Sequence, residues 1–238
     1  MVSRVISEEI ANQIAFIGES LGPLFTHDPK LEGNAIRSLF EAFVQMDTQE
    51  AAKEWPFTED QKAAVCIHEI QKGLVPGFED QALYWEYRRL FVGPQKKAAP
   101  PWGSVYMDRE QVIFGSTTMR LHDWMRRNGI GVKKGTSDEP EDHLGTLLLM
   151  MAYIARNKPE VLIEYLQLHV LTWSSHFLEL MQNEAHHPFY HGLASLARLS
   201  LEGIQENTSD RSSVSKILSI RILPAVKTGN RGAPKRYA

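Results

Sequence analysis

The sequence predicts an all-α protein. Apolar residues recur at helical spacing along most of the 238 residues, and only a weak candidate at 105–114 alternates as a strand would. Glycine and proline divide the apolar stripes into segments of helical length. We therefore expect one globular bundle of about eight to ten helices over residues 1–208.

Four helices are predicted in the first half of the chain. Ile6, Ile10, Ile14 and Ile17 form one apolar stripe, which Gly22-Pro23 is expected to end. Turn and capping residues bound the other three predicted helices, which cover residues 35–46, 58–72 and 79–91. A loop at 93–108, broken by Gly-Pro and Pro-Pro, follows them.

Four further helices are predicted at 114–128, 142–156, 159–183 and 188–206. The segment 142–156 is apolar almost all round, which predicts a central position. Residues 129–138 are rich in glycine and lysine and form a candidate hinge. Because such hinges permit domain swapping, we expect a monomer with some swapped dimer.

Charge is unevenly distributed along the chain. The net charge is −3, but residues 211–238 contain seven Lys/Arg and no Asp/Glu, which leaves 19 basic and 29 acidic side chains in residues 1–210. An acidic body argues against nucleic acid as the main ligand and favours a cationic partner. The basic segment 209–238 is predicted to be an extended or mobile tail.

Cysteine content and hydropathy predict the compartment. Cys66 is the single cysteine, so a disulfide within the chain and a cysteine-based metal site are both excluded. The longest apolar run, 144–155, is too short to span a bilayer. We expect a cytoplasmic protein that is not integral to a membrane.

Nucleotide and metal motifs give no support for an enzyme. The phosphate-binding patterns GxxxxGK[ST] and GxGxxG are absent, and the zinc pattern HExxH fails because Lys72 stands at its fifth position. His186, His187 and His191 could share a metal, but capping or packing is the favoured interpretation. We therefore expect no cofactor.

Two stretches support a hypothesis about binding. In residues 88–108, Leu90, Phe91 and Trp102 lie in or beside a proline-rich loop; they either hold that loop or border a groove for another chain's apolar segment. The acidic run 137–143 (SDEPEDH) either begins the next helix, with Ser137 or Asp138 as the cap, or forms a negative site for guanidinium groups.

Several separated motifs resemble the TorD/DmsD family of redox-enzyme maturation chaperones. In chain order, over about 81–201, they are LFVGP (90–94), PPWGSVYMD (100–108), FGSTTMRLHDWMRRNGI (114–130), EPEDHLGTLLLMMAYIA (139–155), WSSHFL (173–178) and HPFYHGLASLARLSL (187–201). The resemblance implies an all-helical chaperone without catalytic turnover. Such a chaperone binds the twin-arginine signal peptide of a molybdopterin reductase catalytic subunit, here that of dimethyl sulfoxide reductase, before Tat export.

The resemblance also implies a binding surface. It comprises Tyr87, Leu90, Phe91, Pro101, Trp102, Asp142 and His143, with Ser104 and Glu141 as neighbours. Tyr87 departs from the tryptophan expected in DmsD-type members but remains aromatic. Carboxylates would bind the guanidiniums, and the groove would bind the apolar stretch. His143 is expected to orient Asp142 and to alter binding if it is protonated between pH 7 and 6.

Other interpretations stay open at this point. A TorD-type or nitrate-reductase-type chaperone would serve another client. A metal-dependent hydrolase would use Glu141, Asp142 and His143 with the histidines near 187. A purely structural adaptor predicts no affinity for a signal peptide, so that replacing Trp102 costs only stability. Contact with Tat translocase components and a peripheral position at the inner membrane are further expectations.

Overall fold

The computed structural model describes residues 6–77, 80–93, 97–111, 113–131 and 139–208. These ranges contain eleven α-helices and no β-strand, which confirms the all-α class. The helices are α1 (Glu8–Thr26), α2 (Gly33–Gln45), α3 (Thr48–Glu54), α4 (Asp60–Leu74), α5 (Gln81–Tyr87), α6 (Gly103–Met107), α7 (Ser116–Arg127), α8 (Leu144–Asn157), α9 (Leu162–Tyr165), α10 (Ser174–Glu184) and α11 (Pro188–Thr208). Two π-helical segments, Arg88–Val92 and Leu166–Val170, and a 3-10 turn, Pro159–Val161, join them.

The antiparallel pair α1 and α8 forms the centre of the fold. A Cβ atom added at Gly18 would overlap the carbonyl oxygen of Leu148, and one added at Gly145 would lie 2.8 Å from the Cβ of Phe25. Hydrogen in place of a side chain therefore permits the close approach of the two helices. The start of α8 lies beside the end of α1, so the residues that follow α1 lie near the start of α8.

The predicted central position of the apolar helix is confirmed. Leu144, Leu147, Leu148, Met151 and Ile154 of α8 are all fully buried. Burial of an apolar side chain of this size stabilises a fold by about 1.5–3 kcal/mol. The buried side of α8 therefore makes the helix a rigid support for the side chains on its solvent-facing side.

Residues 18–22 (GESLG) match the GxSxG pattern of serine hydrolases. That pattern supports a nucleophile where a strand turns sharply into a helix. Here it lies within α1. Its two glycines pack against α8, so their close approach explains the pattern.

Several expected helix boundaries are wrong. Helix α1 does not stop at Gly22-Pro23 but continues to Thr26, and the N–H of His27 donates to the Pro23 carbonyl at 3.1 Å. Proline removes a single helical hydrogen bond there. We infer that packing of the same turn against α8 outweighs that loss.

The expected helix at 159–183 is interrupted, and two short helices were missed. The interruption includes turn residues 171–173, where the indole N–H of Trp173 donates to the His169 carbonyl at 2.9 Å. Helices α3 and α6 are too short to show a clear apolar stripe. Because α6 occupies part of the weak strand candidate, that candidate is wrong. Because of these short helices, the described residues contain more helices than the expected eight to ten.

The hinge and the tail fall largely outside the described residues. Of the candidate hinge, residues 129–131 are described, and Gly129 has a positive φ of 61° just after α7. Glycine suits that conformation because it has no side chain to clash. The hinge, the swapped dimer and the domain boundary at 208 stay predictions.

Glu86 connects α5 to the junction of α10 and α11. Its carboxylate accepts hydrogen bonds from Arg89 at 2.8 and 2.9 Å and from the His186 N–H at 2.6 Å. Burial acts to raise the pKa of Glu86, but these bonds outweigh burial and lower it. The connection fixes the segment that carries Tyr87 and Phe91.

We expect Glu86→Gln to lower the free energy of unfolding by about 1–3 kcal/mol at pH 7, because a buried charged acceptor is lost. A lowered folded-state pKa gives stability that is present above the unfolded-state value and is lost as pH falls through the folded value. The difference from wild type should therefore shrink as pH falls below 4.5, the ordinary value for this carboxyl. Urea unfolding at pH 7, 5 and 3.5 measures it.

The matched control is Glu59→Gln, which removes an ion pair with Lys62 that also spans three residues but is exposed. Its effect should stay within about 0.5 kcal/mol, because exposed pairs contribute little. A Glu86→Gln effect that was equally large at pH 3.5 would contradict the assignment to the ionised carboxylate.

Candidate functional site

The proline-rich loop and the acidic run form one wall. Trp102 and His143 make an isolated antiparallel bridge. The Leu144 N–H donates to the Pro101 carbonyl at 2.8 Å, and the Gly103 N–H donates to the Asp142 carbonyl at 3.0 Å. The two stretches that the sequence singled out are therefore neighbours in the fold.

His143 caps α8. Its Nδ1 accepts a hydrogen bond from the Gly145 N–H at 3.1 Å, and the helix has no acid in its first turn. The helix therefore begins two residues after the predicted position 142, and the interpretation of Ser137 or Asp138 as its cap is wrong. Burial lowers the pKa of His143 to about 3. This lowered pKa favours a neutral imidazole between pH 7 and 6, which argues against a change in binding from its protonation there.

A cleft of about 930 Å³ opens beside this wall. Five parts of the chain line it, namely the residues around the end of α1, the first π-helical segment, the proline-rich loop, α8 and the loops that flank α7. Its size matches that of pockets that enclose a ligand. It is large enough for several side chains of a peptide.

Aromatic rings form the inner surface of the cleft. The ring centroid of Phe91 lies 5.1 Å from that of Tyr87 and 6.4 Å from that of His143. Trp102 meets His143 edge-on at 6.1 Å. The Tyr87 hydroxyl donates to the Thr26 carbonyl at 3.2 Å, which joins this cluster to the end of α1.

Exposed apolar side chains are concentrated in the cleft. Among the described residues, half of the large exposed hydrophobic side chains line it, namely Leu31, Val92, Ile113, Phe114, Leu149 and Tyr153. Their exposure ranges from 37% for Leu149 to 72% for Leu31. Concentrated apolar surface of this kind is typical of binding sites.

Carboxylates outnumber cations among the side chains that line the cleft. The charged residues there are Asp28, Glu32, Glu139, Glu141, Arg88 and Lys97. Burial raises the pKa of Glu139, the charge of Lys97 opposes that rise, and the charge of Glu32 adds to it. Burial and the negative charges of Glu139, Asp28 and Glu32 raise the pKa of Tyr87. These three carboxylates are thus close enough to Tyr87 to affect the pKa of its hydroxyl.

Comparison with known proteins identifies the family. The family model described as nitrate reductase delta subunit matches residues 60–179. The Tat proofreading chaperone DmsD of Salmonella typhimurium (strain LT2) is 37% identical over 191 residues, which covers 80% of this chain and 88% of that protein. The chain belongs to the TorD/DmsD family.

Other members of the TorD/DmsD family also match this chain. The probable Tat proofreading chaperone DmsD of Haemophilus influenzae is 36% identical over 191 residues, covering 80% of this chain and 89% of that protein. The chaperone protein TorD of Shewanella sp. (strain ANA-3) is 24% identical over 173 residues, covering 68% and 81%. The resemblance found in the motifs is therefore confirmed.

The nine residues that the TorD/DmsD resemblance predicted divide into two groups. Five line the cleft, namely Tyr87, Phe91, Trp102, Glu141 and His143. Four do not line it and are buried, namely Leu90, Pro101, Ser104 and Asp142. The part that all nine play in binding stays a prediction.

Asp142 supports the wall from behind. Its Oδ2 accepts a hydrogen bond from the Ser104 N–H at 2.7 Å, and only 2% of the residue is exposed. Ser104, rather than His143, holds this carboxylate. A substitution of Asp142 would therefore act through the position of Trp102, whose loop it secures.

Glu141 joins the wall to α7. Its Oε2 lies 2.5 Å from Nε2 of His122. The residue is 7% exposed although it lines the cleft. Glu141 therefore combines a structural contact with a position at the surface of the cleft.

Reasoning from the TorD/DmsD motifs missed part of the cleft. Asp28 and Glu32 precede residue 80, where the resemblance is weak. Leu149 and Tyr153 belong to the helix that was expected to be central, and nothing in its pattern distinguishes a side facing a cleft from a side facing the core. Two acids close together between predicted helices, in THDPKLEG (26–33), were the one available indication.

Metal binding finds no support among the described residues, where no three His, Cys, Asp or Glu side chains are grouped to hold an ion. The Nδ1 of His187 accepts from the Phe189 N–H at 3.3 Å, and its Nε2 lies 3.3 Å from Oδ2 of Asp80. The capping interpretation of His187 is confirmed. Over the same described ranges, none of the helices combines the length and hydropathy needed to cross a membrane.

Proposed function

We propose that this protein is a Tat proofreading chaperone. In this proposal it binds the twin-arginine signal peptide of a molybdopterin reductase catalytic subunit in the cytoplasm, before export. The observation that carries the proposal is that one cleft contains both concentrated exposed apolar side chains and an excess of carboxylates. A twin-arginine signal has the complementary features, namely two guanidiniums followed by an apolar stretch.

The chemistry of the cleft supports binding rather than catalysis. The neutral imidazole of His143 is engaged as a helix cap, and the Asp142 carboxylate is held by Ser104. Glu141 is paired with His122. The names of the relatives, which are chaperones, point the same way.

The client is the finer part of the proposal. We propose the catalytic subunit of dimethyl sulfoxide reductase, on the resemblance to DmsD-type members. A TorD-type or nitrate-reductase-type client would use the same cleft, and signal peptides of the different reductases would rank differently in affinity. Contact with the Tat translocase and a peripheral position at the inner membrane stay predictions.

Isothermal titration calorimetry tests the function. The ligand is a synthetic signal peptide of a dimethyl sulfoxide reductase catalytic subunit, and the control peptide carries glutamine at both arginine positions. We expect a dissociation constant near one micromolar, or about −8 kcal/mol, and at least about tenfold weaker binding of the control, because guanidinium–carboxylate bonds are lost. Absence of binding, or equal affinity for the two peptides, would contradict the proposal.

A further inference from the structure

Carboxylates collect at one end of the cleft. Phe25, near the end of α1, packs against Gly145 at the start of α8. Asp28 and Glu32 follow α1, and Glu139 precedes α8, so all three lie near the start of α8. We call these three residues the acidic end.

One carboxylate of the acidic end has an unused acceptor. Asp28 is only 5% exposed, and its Oδ1 accepts from the N–H groups of Lys30 and Leu31 at 2.9 and 3.2 Å. Its Oδ2 has no hydrogen-bond partner among the described residues, although Asp28 lines the cleft. A buried acceptor without a donor is costly. A ligand that brings hydrogen-bond donors would relieve that cost.

Along α8, the apolar side chains of the cleft extend away from the acidic end. Thr146, Leu149 and Tyr153 line the cleft from one face of α8, at spacings of three and four residues. At about 1.5 Å per residue, this face runs for about 10 Å from Thr146 to Tyr153. Its last two side chains are 37% and 47% exposed.

Phe114 adds a second apolar element. It is 56% exposed and lines the cleft beside Ile113. Its φ is 63°, a left-handed conformation that is unfavourable for a bulky residue. Strained residues of this kind are concentrated at ligand sites. We call Ile113, Phe114, Leu149 and Tyr153 the apolar ledge.

We propose that the cleft binds its peptide in one direction, with the guanidiniums at the acidic end and the following apolar stretch on the apolar ledge. The peptide then runs from the start of α8 towards its end. This inference rests on the proposed function and assigns separate roles to residues of the same cleft. Charge complementarity and the position of the exposed apolar side chains along α8 carry it.

Two variants separate the roles. Glu32→Gln should weaken binding of the twin-arginine peptide by about five- to tenfold, because a charge-assisted bond is lost, and should leave binding of the diglutamine peptide unchanged. Phe114→Ala should weaken both peptides by a similar factor, because both retain the apolar stretch. Calorimetry with the full chain measures these affinities.

The matched controls are Glu9→Gln and Phe16→Ala. Both residues are exposed and line a different depression, with Glu54 and Pro56. Neither change should alter affinity for either peptide. Equal loss of affinity for both peptides on Glu32→Gln would overturn the assignment of the acidic end.

Cross-linking tests the direction. A photoreactive benzoylphenylalanine is placed either before the arginine pair or at the far end of the apolar stretch. The first should attach to residues 26–32 or 139–143, and the second to 113–115 or 149–153. The reversed pattern would overturn the proposed direction while leaving arginine-dependent binding, and hence the proposed function, intact. If neither peptide binds in calorimetry, the function itself fails.

Discussion

Trp102→Ala is expected to weaken binding of the twin-arginine peptide by about 30-fold, or about 2 kcal/mol, in a chain that still folds. The indole lines the cleft and meets His143 edge-on at 6.1 Å. Large aromatic side chains at the centre of an interface commonly dominate its affinity. Removal of the indole also loosens the wall that holds Phe91 and His143 in place.

Trp85→Ala is the matched control for this substitution. Trp85 is 61% exposed and does not line the cleft, so its removal should leave affinity unchanged. Calorimetry measures binding, and circular dichroism with thermal unfolding checks the fold of each variant. If Trp102→Ala lowers only the melting temperature and leaves affinity at the wild-type value, the indole stabilises the fold but does not contribute to peptide binding, which would contradict its assigned role.

Gly18→Ala is expected to lower the free energy of unfolding by about 3 kcal/mol, because overpacking displaces atoms that cannot move easily. The added Cβ would overlap the carbonyl oxygen of Leu148 and lie 2.9 Å from the Cβ of Ala152. Both belong to α8, so the two helices must separate. Peptide affinity should fall as well, since α8 forms one side of the cleft.

Gly33→Ala is the matched control, since it also adds one methyl group within a helix. Nothing lies within 4 Å of a Cβ at Gly33. Alanine is the better helix former, so stability should be unchanged or rise by up to about 1 kcal/mol. Urea unfolding of both variants measures the difference. Equal losses of stability would contradict the close crossing of α1 and α8.

The sequence predicted the helical class and the central helix because both follow from local apolar spacing. The start of α8 was not predictable in the same way. Acids and a serine at 137–142 satisfy the capping pattern as well as His143 does. The helix starts where Pro101 and Gly103 form hydrogen bonds with residues 142–144. These bonds join distant parts of the chain.

The composition of the cleft was predictable only in part. Family motifs led to Tyr87, Phe91 and Trp102, which are close in space. Asp28 and Glu32 join them only because α1 packs antiparallel on α8, and that packing depends on glycines whose role is invisible without the partner helix. The break before α10 likewise involves a bond between Trp173 and His169 that helical periodicity does not encode.

Hydrogen–deuterium exchange of the chain, with and without saturating twin-arginine peptide, tests most directly whether this cleft is the binding site. The account predicts slower exchange at 26–32, 101–104 and 139–143, with little change at 60–74 and 188–208. These last two ranges contain α4 and α11 and contribute nothing to the lining of the cleft. Protection confined to α4 and α11, or no protection in a peptide complex confirmed by calorimetry, would contradict it.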